Sequence, residues 1–411
     1  MLLDQTPTCL ACELALGFTP LPTASTRIDV LIPVSNGAAT LASAIDSIRA
    51  QTFGNFRMVV VDDGSSDETP RILARMAASD SRIVIVTRSH GGIVDALNAG
   101  LEHCTAELIA RHDADDIAYP QRFAEQLAYL DAHPDCIAVS SFARMVDKDG
   151  RPTGGLSTSS VDGSDPTWVP CREPYLLHPF LMLRRSALLT VGGYRYVHHA
   201  EDADLYWRLQ EIGRMHVIPK VLGDYRIHAQ SVSGRSALDG RVSAINSQLA
   251  AISALRRRNN ASDLKFTKSA IERMFAAGTP AGIFAIGKRD LSAAESAHLQ
   301  SAFAAKYLLL ATYRPFAIEL DDCRFIRAVL LPAELQLPPG NRRSLRKARA
   351  VLSARLLLKG RVRAALMLLS PDTLMQTGLQ VGAHAIARCL PPSVRATIRR
   401  WQARNWLPRL P

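Results

Sequence analysis

Three short stretches gather side chains able to handle a cation, a phosphate and a proton. The densest is Arg111-His112-Asp113-Ala114-Asp115-Asp116. Carboxylates this crowded repel one another, and a hard divalent cation such as manganese or magnesium relieves the repulsion through oxygen ligands. Such an ion neutralises a diphosphate and makes a nucleotide a better leaving group. A solvated acidic turn before the next helix accounts for the same residues, because Asp suits a helix N-terminus. The second stretch is Val61-Asp62-Asp63-Gly64-Ser65-Ser66-Asp67. Its carboxylates can accept hydrogen bonds from a base N–H or from ribose hydroxyls, although Asp-Gly and Ser-Asp are also ordinary turn residues. The third is Glu201-Asp202-Ala203-Asp204, opening a helix with Leu205 and Leu209 on one side. There Asp202 can take a proton from an attacking hydroxyl, or it can simply cap the helix.

Smaller signals surround these. Arg226 and His228, in Tyr225-Arg226-Ile227-His228, can contact phosphate, and His228 can add a metal ligand. His178-Pro179 offers another imidazole, for which a structural role is the alternative. Arg88 is a candidate donor-side contact, and Gly91-Gly92 before a helix lets backbone approach a ligand.

The elements that must carry these groups alternate. Apolar runs at 28–32, 58–61, 83–86, 107–110 and 136–142 read as strands. Helical spacing follows at 39–50, after Asp67 or Thr69 with Pro70 in the first turn, at 93–101 and at 120–132. This order predicts an α/β fold, a mostly parallel sheet wrapped by helices. Ligands of such sheets bind beyond the carboxyl ends of the strands, where both acidic clusters fall. Residues 147–175, rich in Gly, Ser, Thr, Pro and Asp, read as a long loop or lid, and the chain beyond about 240 reads as mainly helical.

In order and spacing, residues 27–234 resemble a bacterial family 2 glycosyltransferase with the Rossmann-like GT-A fold. The resemblance rests on Val30-Leu31-Ile32-Pro33-Val34-Ser35-Asn36, Ser47-Ile48-Arg49-Ala50-Gln51-Thr52, residues 60–67, Gly91-Gly92 through Ala96-Leu97-Asn98-Ala99-Gly100, Asp113 to Asp116, Gly192-Gly193-Tyr194, Glu201-Asp202 and Tyr225-Arg226-Ile227-His228. It implies transfer of a sugar from a nucleotide-sugar donor, a UDP-sugar first, to a glycan or lipid-linked acceptor, with inversion, in cell-surface polysaccharide or glycolipid assembly. By position it implies that Pro33 and Val34 line the nucleoside pocket and that Asp62, with Asp63 beside it, contacts the base. Asp113 and Asp115 match the DxD pair, Asp115 being the direct ligand of manganese or magnesium, and Asp202 matches the base of the Glu201-Asp202 pair. Arg88-Ser89-His90 departs from the more usual Asn- or Glu-containing segment before the glycines.

Charge divides the chain further. Residues 341–411 hold 15 Lys/Arg and one acid, Asp372, a sum of +14 against +11 for all 411 residues, leaving −3 for the first 340 (11 less 14). The reading is therefore an irregular lead-in at 1–26, a glycosyltransferase domain at 27–238 and a helical region at 239–411, strongly basic from 341. Arg343-to-Leu358, with Leu345, Ala348, Leu352 and Leu356 on one stripe, and a helix capped by Ser393 with Val394, Ile398 and Trp401 on one face, suit an anionic membrane surface. An ordinary helical domain with a solvated basic face is the alternative. No nucleic-acid module accompanies the charge, so nucleic acid is not an expected partner. Seven scattered cysteines fit a reducing compartment, and Cys9-x-x-Cys12 lacks a second pair for zinc. Met1-Leu2-Leu3-Asp4 does not read as a signal peptide, and no apolar run reaches about 18 residues. The expected location is cytoplasmic, peripheral on the inner membrane face. Two other functions compete. A nucleotidyltransferase would want a Gly-rich basic phosphate loop after the first strand, which Ser35-Asn36-Gly37-Ala38-Ala39 does not supply. A non-catalytic binding protein would tolerate loss of the acidic positions, all of which are present.

Overall fold

A computed structural model describes residues 26–227, 236–314 and 316–388. Its centre is a sheet of strands β1 (Ile28–Val34), β2 (Phe56–Asp63), β3 (Ile83–Arg88), β4 (Leu108–Arg111), β5 (Ile117–Ala118), β6 (Cys136–Val146), β7 (Pro152–Ser157), β8 (Met182–Arg184) and β9 (Arg214–Arg226). The order is β3-β2-β1-β4-β8-β6-β9-β5, with β7 paired to β6. The flanking helices are α1 (Leu41–Arg49), α2 (Thr69–Ser79), α3 (Ile93–His103), α4 (Arg122–Ala132), α5 (Arg185–Thr190) and α6 (Glu201–Gln210).

Side-chain alternation sorts the two faces. Ile28, Val30 and Ile32 of β1 pack with Leu41, Ile45, Leu73, Phe123 and Leu127 from α1, α2 and α4. Leu31 joins Val59 and Val61 against Val94, Leu97, Leu205 and Leu209 from α3 and α6 on the opposite face. With both faces covered, β1 is buried along its whole length, which is why it reads as one apolar run.

The expected parallel arrangement holds for β3, β2, β1 and β4. Beyond β4 the sheet is mixed: β8 runs antiparallel to both β4 and β6, and β6 pairs in parallel with β9. The strand expected at 136–142 therefore joins through an antiparallel neighbour supplied later in the chain. The 147–175 segment is not an irregular lid throughout. It forms β7 against β6, and bridges pair Ser160 with Tyr175 and Asp165 with Arg172. Its polar composition reflects an exposed edge strand rather than the absence of one.

The rest is helical: α7 (Ala237–Arg258), α8 (Lys268–Ala277), α9 (Pro280–Gly287), α10 (Ala293–Tyr313), α11 (Leu320–Glu334), α12 (Pro339–Leu358), α13 (Val362–Leu368) and α14 (Pro371–Arg388). α7 to α13 share a core that includes Val242, Ile245, Phe303, Tyr307 and Leu330, and α14 packs against α12. The stripe assigned to a membrane, Leu345, Ala348, Leu352 and Leu356, is buried in that core. An apolar stripe looks the same in sequence whether lipid or protein covers it. The Ser393 helix lies outside the described residues. Ala250, Ala251 and Ala254 of α7 pack on Ala203 and Trp207 of α6, so the helices seat directly on the sheet domain. No helix among the described residues is long and apolar enough to cross a membrane.

Candidate active site

The site begins where β1, β2 and β4 end. Val34 lies opposite Asp62, and Leu31 opposite Arg111, so both acidic clusters emerge from one edge with β1 between them. Two strand spacings, roughly 10 Å, separate them. The loops after β1 and β2 are bound into one shelf. Asn36 N–H donates to Ser65 Oγ (2.9 Å), Gly37 N–H to Thr69 Oγ1 (2.9 Å) and Ala38 N–H to Asp67 Oδ2 (3.1 Å). Asp62 is buried and accepts from the Ser65 N–H at 3.0 Å. Pro33 and Val34 close the end of β1 beside it.

Asp63 has a different task. Its carboxylate accepts from the Gly91 and Gly92 amides at 3.0 and 2.8 Å and pairs with Arg88. Arg88 also faces Asp95 at 3.8 Å. The Gly91 and Gly92 amides, expected to approach a ligand, are thus spent on Asp63. Gly92 has φ 90°, a conformation that favours glycine.

The acidic loop is held from below and behind. Arg122 of α4 is fully buried and donates to the carbonyls of Arg111 (2.6 Å) and Leu181 (3.3 Å) and to Gln126 Oε1 (3.1 Å). Burial and the Arg122 charge hold His112 well below its ordinary pKa, so its imidazole is neutral. Arg111 pairs with Asp113. Behind the loop, Asp116 Oδ1 accepts from the Arg226 N–H (2.8 Å), and the Arg226 guanidinium donates to the carbonyls of Asp115 (2.8 Å) and Lys148 (2.8 Å). Arg226, expected to face phosphate, instead ties the loop to the β6–β7 turn. β5 continues the loop and lies against Gly223 of β9, where a Cβ would stand 2.3 Å from the Ile117 carbonyl.

This leaves Asp113 and Asp115 half-buried at the rim and Asp116 buried beneath them. Carboxylate oxygens of all three lie within 4.8 Å of one another. Burial holds the Asp113 carboxyl above its ordinary range despite Arg111. Burial, then the Asp113 and Asp115 charges, hold Asp116 well above it. Asp116 Oδ2 is buried and makes no hydrogen bond. Crowded oxygen donors fit a divalent ion of the manganese or magnesium kind.

The third constellation comes from α6. Asp204 is buried and consumed by Arg195 and Arg208, whereas Glu201 and Asp202 stay half-buried at the helix start. Asp202 Oδ1 accepts from the Ala203 N–H at 2.7 Å. Burial, with Asp202 beside it, pushes Glu201 up to about 8; burial pushes Asp202 up to about 6. The two carboxyls titrate as a pair, both held above the ordinary carboxylate range by burial. Arg111 links this pair to the acidic loop, since its charge acts on Asp113, on Glu201 and on Tyr194. His178 lies in the floor, its Nε2 2.9 Å from Tyr194 Oη, and burial keeps it neutral.

Of the expected residues, Asp62, Asp113, Asp115, Glu201 and Asp202 converge on the edge of the sheet. Arg88, Asp63, His178 and Arg226 hold its walls, and His228 falls outside the described residues. Arg111, Arg122, Tyr194 and Tyr206 belong to the same neighbourhood without having been assigned roles. Arg122, a cation in the first turn after the acidic run, was the legible signal among them.

The chain matches the pattern of glycosyl transferase family 2 over residues 29–191. It is 33% identical over 192 residues to the putative glycosyltransferase EpsE of Bacillus subtilis, covering 46% of this chain and 68% of the relative. It is 30% identical over 198 residues to the amylovoran biosynthesis glycosyltransferase AmsE of Erwinia amylovora, covering 47% of this chain and 73% of the relative. This chain belongs to glycosyl transferase family 2. A solved mannosyltransferase, PcManGT from Pyrobaculum calidifontis in complex with GDP-Man and Mn2+, aligns over 89% of this chain and 87% of its own at 18% identity and a TM-score of 0.45. As a family 2 glycosyltransferase, the chain carries its acidic groups inside or just beyond the matched region. Glu201, Asp202 and Arg226 lie past residue 191, brought to the site by α6 and β9.

Proposed function

We propose that this glycosyltransferase moves a sugar from a nucleotide-sugar donor to an acceptor hydroxyl by a single displacement with inversion. Asp62, Pro33 and Val34 take the nucleoside, a uridine nucleotide first. Asp113 and Asp115 hold a divalent ion, manganese or magnesium, with Asp116 fixing the loop behind them. When bound, that ion supplies charge neutralisation for the leaving diphosphate. Asp202 accepts the proton of the acceptor hydroxyl as that oxygen attacks the anomeric carbon. Glu201 hydrogen-bonds to a hydroxyl of the donor sugar. Asp63 and Arg226 act through backbone: one fixes the Arg88–Gly92 turn, the other the carbonyl of Asp115.

The observation that supports this reading is that the crowded carboxylates of Asp113, Asp115 and Asp116, suited to a cation, share the Arg111 charge with Glu201 at the start of α6. The names of relatives, an amylovoran biosynthesis and an O-antigen biosynthesis glycosyltransferase, support a role in polysaccharide assembly, and the acceptor proposed is a glycan or lipid-linked sugar. For the membrane, support now comes from Leu366, Leu374, Met375 and Leu379 on α13 and α14, all more than half exposed in the basic region. Contact there would put the protein on the inner face of the cell membrane.

A thermal-shift screen of nucleotide sugars with manganese tests the donor reading, because a ligand that binds only the folded state raises apparent stability. One donor class should raise Tm only with the metal, and Asp115→Ala should abolish that rise. A rise that survives Asp115→Ala, or needs no metal, would refute the assigned ligand.

A further inference from the structure

A second cluster of metal-binding side chains lies between the sheet domain and the helices. His198 and His199 precede α6, and Asp239 sits in the first turn of α7. The two imidazoles stack with centroids 3.7 Å apart. Donor atoms of all three residues lie within 4.8 Å of one another. His198 Nε2 is buried and stands 3.5 Å from Asp239 Oδ1. That is long for a hydrogen bond. It does match the separation of about 3.3–3.5 Å between two ligand atoms held about 2.0–2.1 Å from one tetrahedral ion.

The surroundings aim these groups. Asp239 Oδ2 accepts from Ser236 Oγ at 2.5 Å, and Ser236 Oγ accepts from the Asp239 N–H at 3.0 Å. This fixes the carboxylate and leaves Oδ1 toward His198, the kind of support that orients a metal ligand. Phe275 meets the His198 ring edge-on at 4.9 Å. His199 is held at φ 51°, where a residue with a Cβ persists only if its neighbours fix it. The Ser243 Oγ–His199 carbonyl hydrogen bond (3.2 Å) is one such restraint, again from α7.

We infer that His198, His199 and Asp239 form a second metal site, for a nitrogen-preferring ion such as zinc, that pins the start of α6 to α7. Two imidazoles and one carboxylate suit zinc, whereas the all-oxygen cluster at Asp113 to Asp116 suits manganese or magnesium. Three protein ligands leave the fourth position to water. Glu201 follows His199 by two residues, so the ion would set where the acid pair begins.

The test uses full-length protein stripped with chelator and titrated with zinc against a chromogenic chelator, and separately with cobalt. Wild type should bind zinc and give the visible band of tetrahedral cobalt. His198→Ala and Asp239→Asn should each weaken zinc at least about tenfold and lose the band, while Asp115→Ala keeps both. Asn at 239 still accepts from Ser236, and circular dichroism of each variant separates lost ligation from lost folding. Unchanged zinc affinity in folded His198→Ala, no zinc binding by wild type, or a band lost in Asp115→Ala would each overturn the site.

Discussion

Asp202 offers the sharpest test of the mechanism. Its Oδ1 accepts the Ala203 N–H at 2.7 Å. An Asn amide oxygen can take the same bond, so Asp202→Asn keeps the start of α6 while removing the base. General-base catalysis contributes about 10²–10⁴-fold, and kcat should fall by that factor with little change in the donor KM. The pH profile gives a second number. Burial pushes Asp202 from 3.8 up to about 6. Only the ionised form accepts a proton, so kcat/KM should rise with pH through a midpoint of about 6 and level off above about 7. At pH 5, one unit below the midpoint, about one-tenth of the enzyme holds a competent base; an unshifted aspartate would leave more than about nine-tenths. Release of nucleoside diphosphate measures both, with transfer to water serving until an acceptor is in hand. A folded Asp202→Asn variant within tenfold of wild type would refute the assignment. So would a wild-type limb centred near pH 4.

Asp63→Asn should destabilise the fold by about 1–3 kcal/mol, because the amide cannot satisfy Arg88, Gly91 and Gly92 together; urea unfolding checks this, and a loss below about 0.5 kcal/mol would show the turn is held by other means. On anionic vesicles, wild type should co-float and the combined Leu374→Ser, Met375→Ser and Leu379→Ser variant should not, at unchanged Tm because these side chains are already exposed. Equal recovery would end the membrane reading. Truncation near residue 340 would be a poor alternative, since it removes α12 from the helical core.

Much of the site was legible because it is local. Asp113, Asp115 and Asp116 sit within four residues, and the strand before them is a plain apolar run. Alternating strands and helices put Asp62 and Asp113 at carboxyl ends without any tertiary information. What misled was residue type read without partner. Arg226 looked like a phosphate contact, yet its donors meet the carbonyls of Asp115 and Lys148. Gly91 and Gly92 looked like ligand-facing backbone, yet their amides meet Asp63. Spacing along the chain does not say which acceptor a donor will face.

The sequence by itself determined the strand–helix order, the family and the carboxylates that can do chemistry, because period-two and period-3.6 burial are written in residue type. Tertiary structure alone decided that β8 inserts antiparallel between β4 and β6, that the Arg111 charge acts on both Asp113 and Glu201, and that the α12 stripe meets protein. These depend on groups far apart in the chain. Their electrostatics, including the burial that lifts Asp202, exist only once folding has removed water from around them.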